Sequence, residues 1–166
     1  MSLKAFQFCP ACRATLRIEP TIAQCTACSF IYYENPAPGA GIVLIDDDRV
    51  LVAIRAIAPH HGAVDIIGGF MQRDETPECA ALRELKEETG LEAEITGFLG
   101  AFPDTYGPGG KPTINFIYLG RITRGKMQAN DDVAELRWIP IDELPTDQGF
   151  PHVQRAFAKL QSHRAE

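Results

Sequence analysis

Glutamates at positions 84, 87 and 88, with a fourth at position 75, stand where carboxylate chemistry can be assembled. Thr76-Pro77 reads as a helix N-cap followed by proline at the first helical position, and Gly90 reads as the stop, so a helix is predicted over 77–89. On such a helix Glu84, Glu87 and Glu88 share about 100° of arc, while Leu82 and Leu85 turn to another side that can pack. Carboxylates that close repel one another, and as a bare surface they are slightly destabilising. One or more Mg2+ or Mn2+ ions would neutralise them with hard oxygen ligands. Glu75, in the loop before the helix, can fold back onto the same face. The plain alternative for an ELKEE string is a solvated acidic helix.

The second constellation is sulfur. Cys9 and Cys12 enclose two residues, as do Cys25 and Cys28, and twelve residues separate the pairs. Two CxxC turns at the ends of a short hairpin supply the four tetrahedral thiolates of a closed Zn2+ site. Thr15–Ile18 and Thr21–Gln24, on either side of Glu19-Pro20, read as the strands of that hairpin. A pair of disulfides or a redox-active CxxC is the alternative, and neither needs the doubled spacing. A closed site has no open coordination position, so this zinc is expected to staple a small fold and to do no chemistry. Nucleic-acid docking by such a ribbon is disfavoured, because its basic residues are only Lys4, Arg13 and Arg17.

The elements that position these groups can be read from the remaining pattern. A chain of 166 residues holds one globular domain, or one domain with a small appendage. Asn35-Pro36-Ala37-Pro38-Gly39 is a turn-rich break, which predicts a zinc ribbon over 1–35 and a main domain over 36–166. Gly41–Ile45 and Val50–Arg55 around an acidic turn predict a hairpin. Strands are expected near 65–67, 92–102, 113–122 and 134–139. A helix is expected near 151–163, where Val153, Ala156, Phe157 and Leu160 make one apolar face. Mixed strands and helices imply an α/β layered domain.

The charge balance narrows the partners. Sixteen basic against 22 acidic residues leave a net charge of −6, which argues against nucleic acid or anionic lipid and suits divalent cations. No apolar run approaches the roughly 20 residues of a membrane span. The opening MSLKAFQFCP has no signal-type apolar stretch and SHRAE carries no targeting pattern, so a cytoplasmic location is expected. Five cysteines in a reducing compartment point to metal, catalysis or core rather than disulfides.

From Gly69 to Leu91 the chain reads GFMQRDETPECAALRELKEETGL. This segment resembles the signature of Nudix hydrolases, G-x5-E-x7-R-E-U-x-E-E-x-G-U with U aliphatic, at every specified place: Gly69, Glu75, Arg83, Glu84, Leu85, Glu87, Glu88, Gly90 and Leu91. The full set at its fixed offsets sets aside the solvated-helix alternative. The resemblance implies a Nudix-type α/β/α sandwich with a mixed sheet. It also implies metal-assisted attack of water on a phosphoanhydride in a nucleoside diphosphate linked to another moiety. Glu87 and Glu88 would be the first metal ligands, Glu84 a ligand or the base, and Arg83 an orienting group one helical turn from Glu87. Gly69 would let the backbone approach metal or substrate, and the family resemblance allows a homodimer. A four-cysteine ribbon ahead of such a domain resembles the arrangement in NADH pyrophosphatases. Their Ser-Gln-Pro-Trp-Pro-Phe-Pro-like array is missing from Gly97–Asp104, so ADP-ribose-like compounds rank above NADH or NAD. Sensor or scaffold members of the family can dispense with the carboxylates, whereas this chain has all of them.

Further candidates lie outside the box. Nudix enzymes often use another acid as base or ligand, and Glu135, after Asp131-Asp132, is expected to fill that place, with Asp65 behind it. Phe102–Gly110 is expected to be a loop in which Phe102 or Tyr106 could stack on a base or ribose. Trp138 is expected in core or edge packing, His60-His61 in an exposed loop, and Cys79 as a small buried side chain.

Overall fold

A computed structural model describes residue 3 and residues 6–164, so Lys4 lies outside the described residues. The chain forms two compact units, one from the residues up to Ala37 together with Thr105–Thr113, the other from Pro38–Asp104 and from Ile114 onward.

In the first unit β1 (Leu16–Ile18), β2 (Ile22–Cys25) and β3 (Ile31–Tyr33) form an antiparallel sheet in that order. The register sets Leu16 opposite Cys25 and Ala23 opposite Tyr32. The β1–β2 hairpin is the one expected, and β3 is an added strand. So small a sheet buries little, with Ala23, Cys9 and Cys25 inside and Ile18, Ile31 and Tyr33 exposed.

The second unit is built on a sheet ordered β10-β5-β4-β9-β8, with β6 paired to β5 and β7 to β4. Its strands are β4 (Ala37–Asp46), β5 (Arg49–Arg55), β6 (Val64–Asp65), β7 (Ile67–Phe70), β8 (Leu91–Tyr106), β9 (Lys111–Gly125) and β10 (Val133–Pro140). The helices are α1 (Pro77–Thr89) and α2 (Pro151–Arg164), with a single 3-10 turn at Ile141–Glu143. β4 and β5 form the expected hairpin, Leu44 opposite Leu51 and Asp46 opposite Arg49, with Asp47 at φ 54° in the turn. Most pairs are antiparallel, but β4 and β9 advance together: Gly39 faces Asn115 and Gly41 faces Ile117. The sheet is therefore mixed.

Strand alternation divides the core between two faces. Ala40, Ile42, Leu44, Leu51 and Ile67 pack with Ala80, Ala81 and Leu85 of α1. Val43, Val50 and Val52, of opposite parity, are also buried, and α2 supplies the second apolar cover with Val153, Ala156, Phe157 and Leu160. This is the α/β/α sandwich expected from the sequence.

Two expectations for local structure are corrected. β4 starts at Ala37, inside the stretch read as a break, because Gly39 and Ala40 pair with Phe70 and Gly69 of β7. Likewise, 102–106 is strand. β8 runs unbroken to Tyr106 and only the glycine-rich residues after it turn. Its proline, Pro103, is tolerated because β8 is an edge strand, where a missing N–H need not break the ladder.

Candidate active site

The junction between β7 and α1 is shaped by two glycines. Gly68 has φ 155°, and a Cβ there would lie 2.4 Å from the Ala40 carbonyl oxygen and 2.5 Å from Gly41 Cα. Only glycine lets β7 approach β4 this closely. At Gly69 a Cβ would lie 2.6 Å from Glu84 Oε1, so the missing side chain is what gives that carboxylate its space. The helix that follows is capped as its sequence predicts. Thr76 accepts from the Cys79 amide at 3.3 Å, Pro77 fills the first position, and Gly90 at φ 70° donates its N–H to the Lys86 carbonyl.

Arg83 is the hub of the exposed half of the site. Its Nε and Nη2 donate to Oε1 and Oε2 of Glu75 at 2.5 and 3.0 Å, a two-pronged pair. Its Nη1 donates to Glu84 Oε1 at 2.7 Å and to Glu87 Oε2 at 2.9 Å, and Nη2 also reaches the Phe70 carbonyl at 3.2 Å. The loop thus folds back onto the helix through Arg83. The guanidinium, helped by the Gln72 amide, holds the Glu75 carboxyl down at about 2. Glu87 remains half exposed, its side chain 50% accessible.

The inner half is unlike the solvated acid face that helical geometry alone suggests. Glu88 is only 6% exposed and accepts the Gly68 amide at 3.1 Å. Burial first, and then the negative charge of Asp132, push its carboxyl up to about 9. Glu84 is raised in the same way by burial, with Arg83 pulling it back down and Glu87 and Asp132 opposing. Asp132 reaches this site because its segment is tied to the end of α1. The Asn130 amide donates to the Glu88 carbonyl and the Gln128 amide to the Thr89 carbonyl, both at 2.9 Å.

Glu135 is exposed, and its carboxylate is taken by Arg137 at 2.7 and 3.0 Å. A register shift between Val133 and Glu135 in β10 separates its environment from that of Asp132. Asp132, from the Asp131-Asp132 pair that marks this segment in the sequence, is the acid whose charge reaches Glu84 and Glu88. Asp65 is buried and bonded to Arg55 at 2.8 Å. Phe102 is 9% exposed, with its ring folded over Gly100. Tyr106 belongs to the first unit. Cys79 is exposed, because Ala80 and Ala81 take the inward positions of that turn. Trp138 packs against the core with Arg49 5.8 Å from its ring centre, and the exposed His60 rests edge-on against Phe150.

In the first unit the four thiols of Cys9, Cys12, Cys25 and Cys28 lie within 4.8 Å of one another. Sγ of Cys9 is 3.7 Å from that of Cys28, and Cys12 is 3.4 Å from Cys25. A disulfide would need about 2.05 Å, whereas a tetrahedron of 2.3 Å Zn–S bonds has edges of about 3.8 Å. The Ala27 amide donates to Cys25 Sγ at 3.3 Å, a hydrogen bond that favours the thiolate a metal needs. The donor set fits zinc.

Residues 35–160 match the family model described as NUDIX domain. An ADP-ribose pyrophosphatase of Methanocaldococcus jannaschii is 32% identical over 115 residues, covering 68% of this chain and 67% of that protein. An NAD-capped RNA hydrolase, NudC of Vibrio atlanticus, is 25% identical over 147 residues, covering 86% of this chain but only 52% of its own; this chain spans about half the length of that relative. Among solved structures, a NUDIX hydrolase from Nitrosomonas europaea superposes with a TM-score of 0.75 at 24% identity, over 97% of this chain and 94% of that one. A MutT NUDIX hydrolase from Burkholderia pseudomallei gives 0.68 at 27% identity, over 76% and 99%. The glycine junction and the Arg83 carboxylate hub are thus met in a domain whose family model spans most of the sequence, and the chain belongs to the Nudix hydrolase family.

Proposed function

We propose that this protein is a divalent-metal-dependent hydrolase that cleaves the phosphoanhydride bond of a nucleoside diphosphate linked to another moiety, with ADP-ribose-like compounds as its substrate class. The observation that carries the reading is the burial of Glu84 and Glu88 beside Asp132. Arg83 is already shared among Glu75, Glu84 and Glu87. Carboxylates partly desolvated in this way would be stabilised by a further cation, and an all-oxygen donor set suits Mg2+ or Mn2+.

In this reading Glu84, Glu87, Glu88 and Asp132 hold the cation, and Asp132 takes the part expected of Glu135. When bound, the cation supplies neutralisation of the diphosphate and Lewis-acid activation of water. Arg83 keeps Glu84 oriented, and Glu84, basic through burial yet still within the site, accepts the proton of the attacking water. The zinc held by the four cysteines has a structural role, in a ribbon-bearing branch of the family.

The substrate class is supported by the Methanocaldococcus relative and by the absence of the NADH-type array after the box. A second reading, an NAD or NAD-capped RNA substrate, is favoured by one observation. The match to the NAD-capped RNA hydrolase covers 86% of the chain, more than residues 36–166 can supply, and so extends into the cysteine unit. The deciding experiment is initial rates on ADP-ribose, NADH, NAD-capped RNA and a dinucleoside polyphosphate, each with Mg2+ and with Mn2+. ADP-ribose is expected to have the highest kcat/KM. Metal-independent rates, or no turnover of any compound, would refute the hydrolase reading.

A further inference from the structure

Arg55, at the end of β5, is a buried guanidinium held on several sides. Its Nε donates to the Pro59 carbonyl at 2.8 Å, its Nη1 donates to Asp65 Oδ2 at 2.8 Å, and its Cζ lies 5.0 Å from the centre of the Phe150 ring. Asp132 Oδ2 lies 4.0 Å from the same Nη1. Two carboxylates therefore compete for one nitrogen, and Asp65 has the shorter and more buried contact. Coulomb attraction falls with distance and with solvent access, so Asp65 neutralises most of the guanidinium. Asp132 is left near a cation that restrains it but cancels little of its charge. Its backbone is fixed as well: the Ala56 amide donates to the Asp132 carbonyl at 2.7 Å, and Asn130 joins its segment to the Glu88 carbonyl.

We propose that the Arg55–Asp65 pair is a positioning device for Asp132, in which Asp65 holds the guanidinium back so that Arg55 orients the Asp132 carboxylate and leaves it free to bind a divalent cation. The inference rests on the reading of Asp132 as a cation ligand. A loss of simple structural support at Asp65 would not be reversed by removing Arg55 as well. Removing the charge of Asp65 releases Arg55 onto Asp132 and weakens cation binding, although Asp65 is not a ligand. Removing Arg55 as well returns the full charge of Asp132 to the site but leaves it unrestrained.

The test measures Mn2+ affinity of the full chain from the electron paramagnetic resonance of free Mn2+, alongside Tm and kcat, in wild type, D132N, D65N and R55Q/D65N. D132N should weaken Mn2+ binding about tenfold or more, and D65N should weaken it by about tenfold. R55Q/D65N should bind Mn2+ as tightly as wild type or tighter, with kcat lowered about tenfold. Unchanged Mn2+ affinity in D132N would remove the ligand reading and the inference with it. Weakened binding in D132N with wild-type affinity in D65N, or a double variant no tighter than D65N, would overturn the positioning device alone. If D65N does not fold, the double variant decides: Mn2+ binding weaker than wild type overturns the proposal.

Discussion

Arg83 grips Glu75 with two nitrogens, Nε to Oε1 at 2.5 Å and Nη2 to Oε2 at 3.0 Å, and so ties the loop before α1 to the helix that carries the acids. The Glu75 carboxyl is held at about 2, below its ordinary value near 4.3. A depressed acid contributes stability that is complete above the unfolded value and is lost as pH falls through the folded one. The Tm advantage of wild type over Glu75→Gln should therefore be constant above about pH 5 and shrink steadily toward pH 2. An advantage that does not change with pH would mean the pair contributes shape and no charge.

Glu88 predicts the opposite slope. Its carboxyl is raised to about 9, chiefly by burial, so ionising it opposes folding. Metal-free protein should be favoured by this group below about pH 4.3 and lose that contribution as pH rises toward 9. Binding of Mg2+ must displace the proton, so its affinity should rise by up to about tenfold per pH unit below 9. Glu88→Gln should flatten both dependences and lower turnover by about a hundredfold or more. Calorimetric titration with Mg2+ at pH 6, 7 and 8 reads the slope directly, and equal affinity at all three would discard it.

The adjacent glycines should separate folding from activity. At Gly68 a Cβ meets backbone, with the Ala40 oxygen at 2.4 Å, so Gly68→Ala should cost about 1–3 kcal/mol of stability. At Gly69 the obstacle is the end of the Glu84 side chain, which can swing away. Gly69→Ala should then melt within a few degrees of wild type yet lose most of its turnover, because Glu84 leaves its place. Equal losses of Tm in the two variants would contradict this division.

Much of this was legible in the chain because it is local. The cap at Thr76, the stop at Gly90 and the 3.6-residue spacing in α2 are chemistry of a few neighbours, and both helices form where that chemistry puts them. What the sequence hides depends on partners far away. Pro103 looks like a strand breaker, yet β8 passes through it because β9 pairs alongside and the Asn115 side chain donates to the Phe102 carbonyl. The burial of Glu88 is likewise invisible in a helical wheel, since the face it lies on is covered by the Gly68 backbone from another strand.

The cysteine unit should behave as a metal staple. Its small sheet leaves Ile18, Ile31 and Tyr33 exposed, so its own burial cannot hold it together. Cys9→Ser removes one of two buried thiols of the cluster. It should lower bound zinc from about one per chain to near zero and speed hydrogen exchange through residues 9–33. Protein that carries no zinc when purified with its four thiols reduced, yet is protected from exchange there, would dismiss the zinc assignment.

The choice between Asp132 and Glu135 can be settled by neutralising each. Glu135 is exposed and paired with Arg137, an arrangement worth about 0–1 kcal/mol at a surface, so Glu135→Gln should leave stability and turnover nearly unchanged. Asp132 acts on both Glu84 and Glu88, and neutralising it removes a negative charge from the cation's surroundings. Asp132→Asn should lower kcat by about a hundredfold, and raising Mg2+ should recover part of the loss, because the missing group is a cation ligand. It should also lower the Glu88 carboxyl, since one of the charges opposing its ionisation is gone, and shift the acid limb of the pH–rate profile downward. The reverse result, with Glu135→Gln inactive and Asp132→Asn normal, would mean that β10 turns Glu135 into the site when cation and substrate bind.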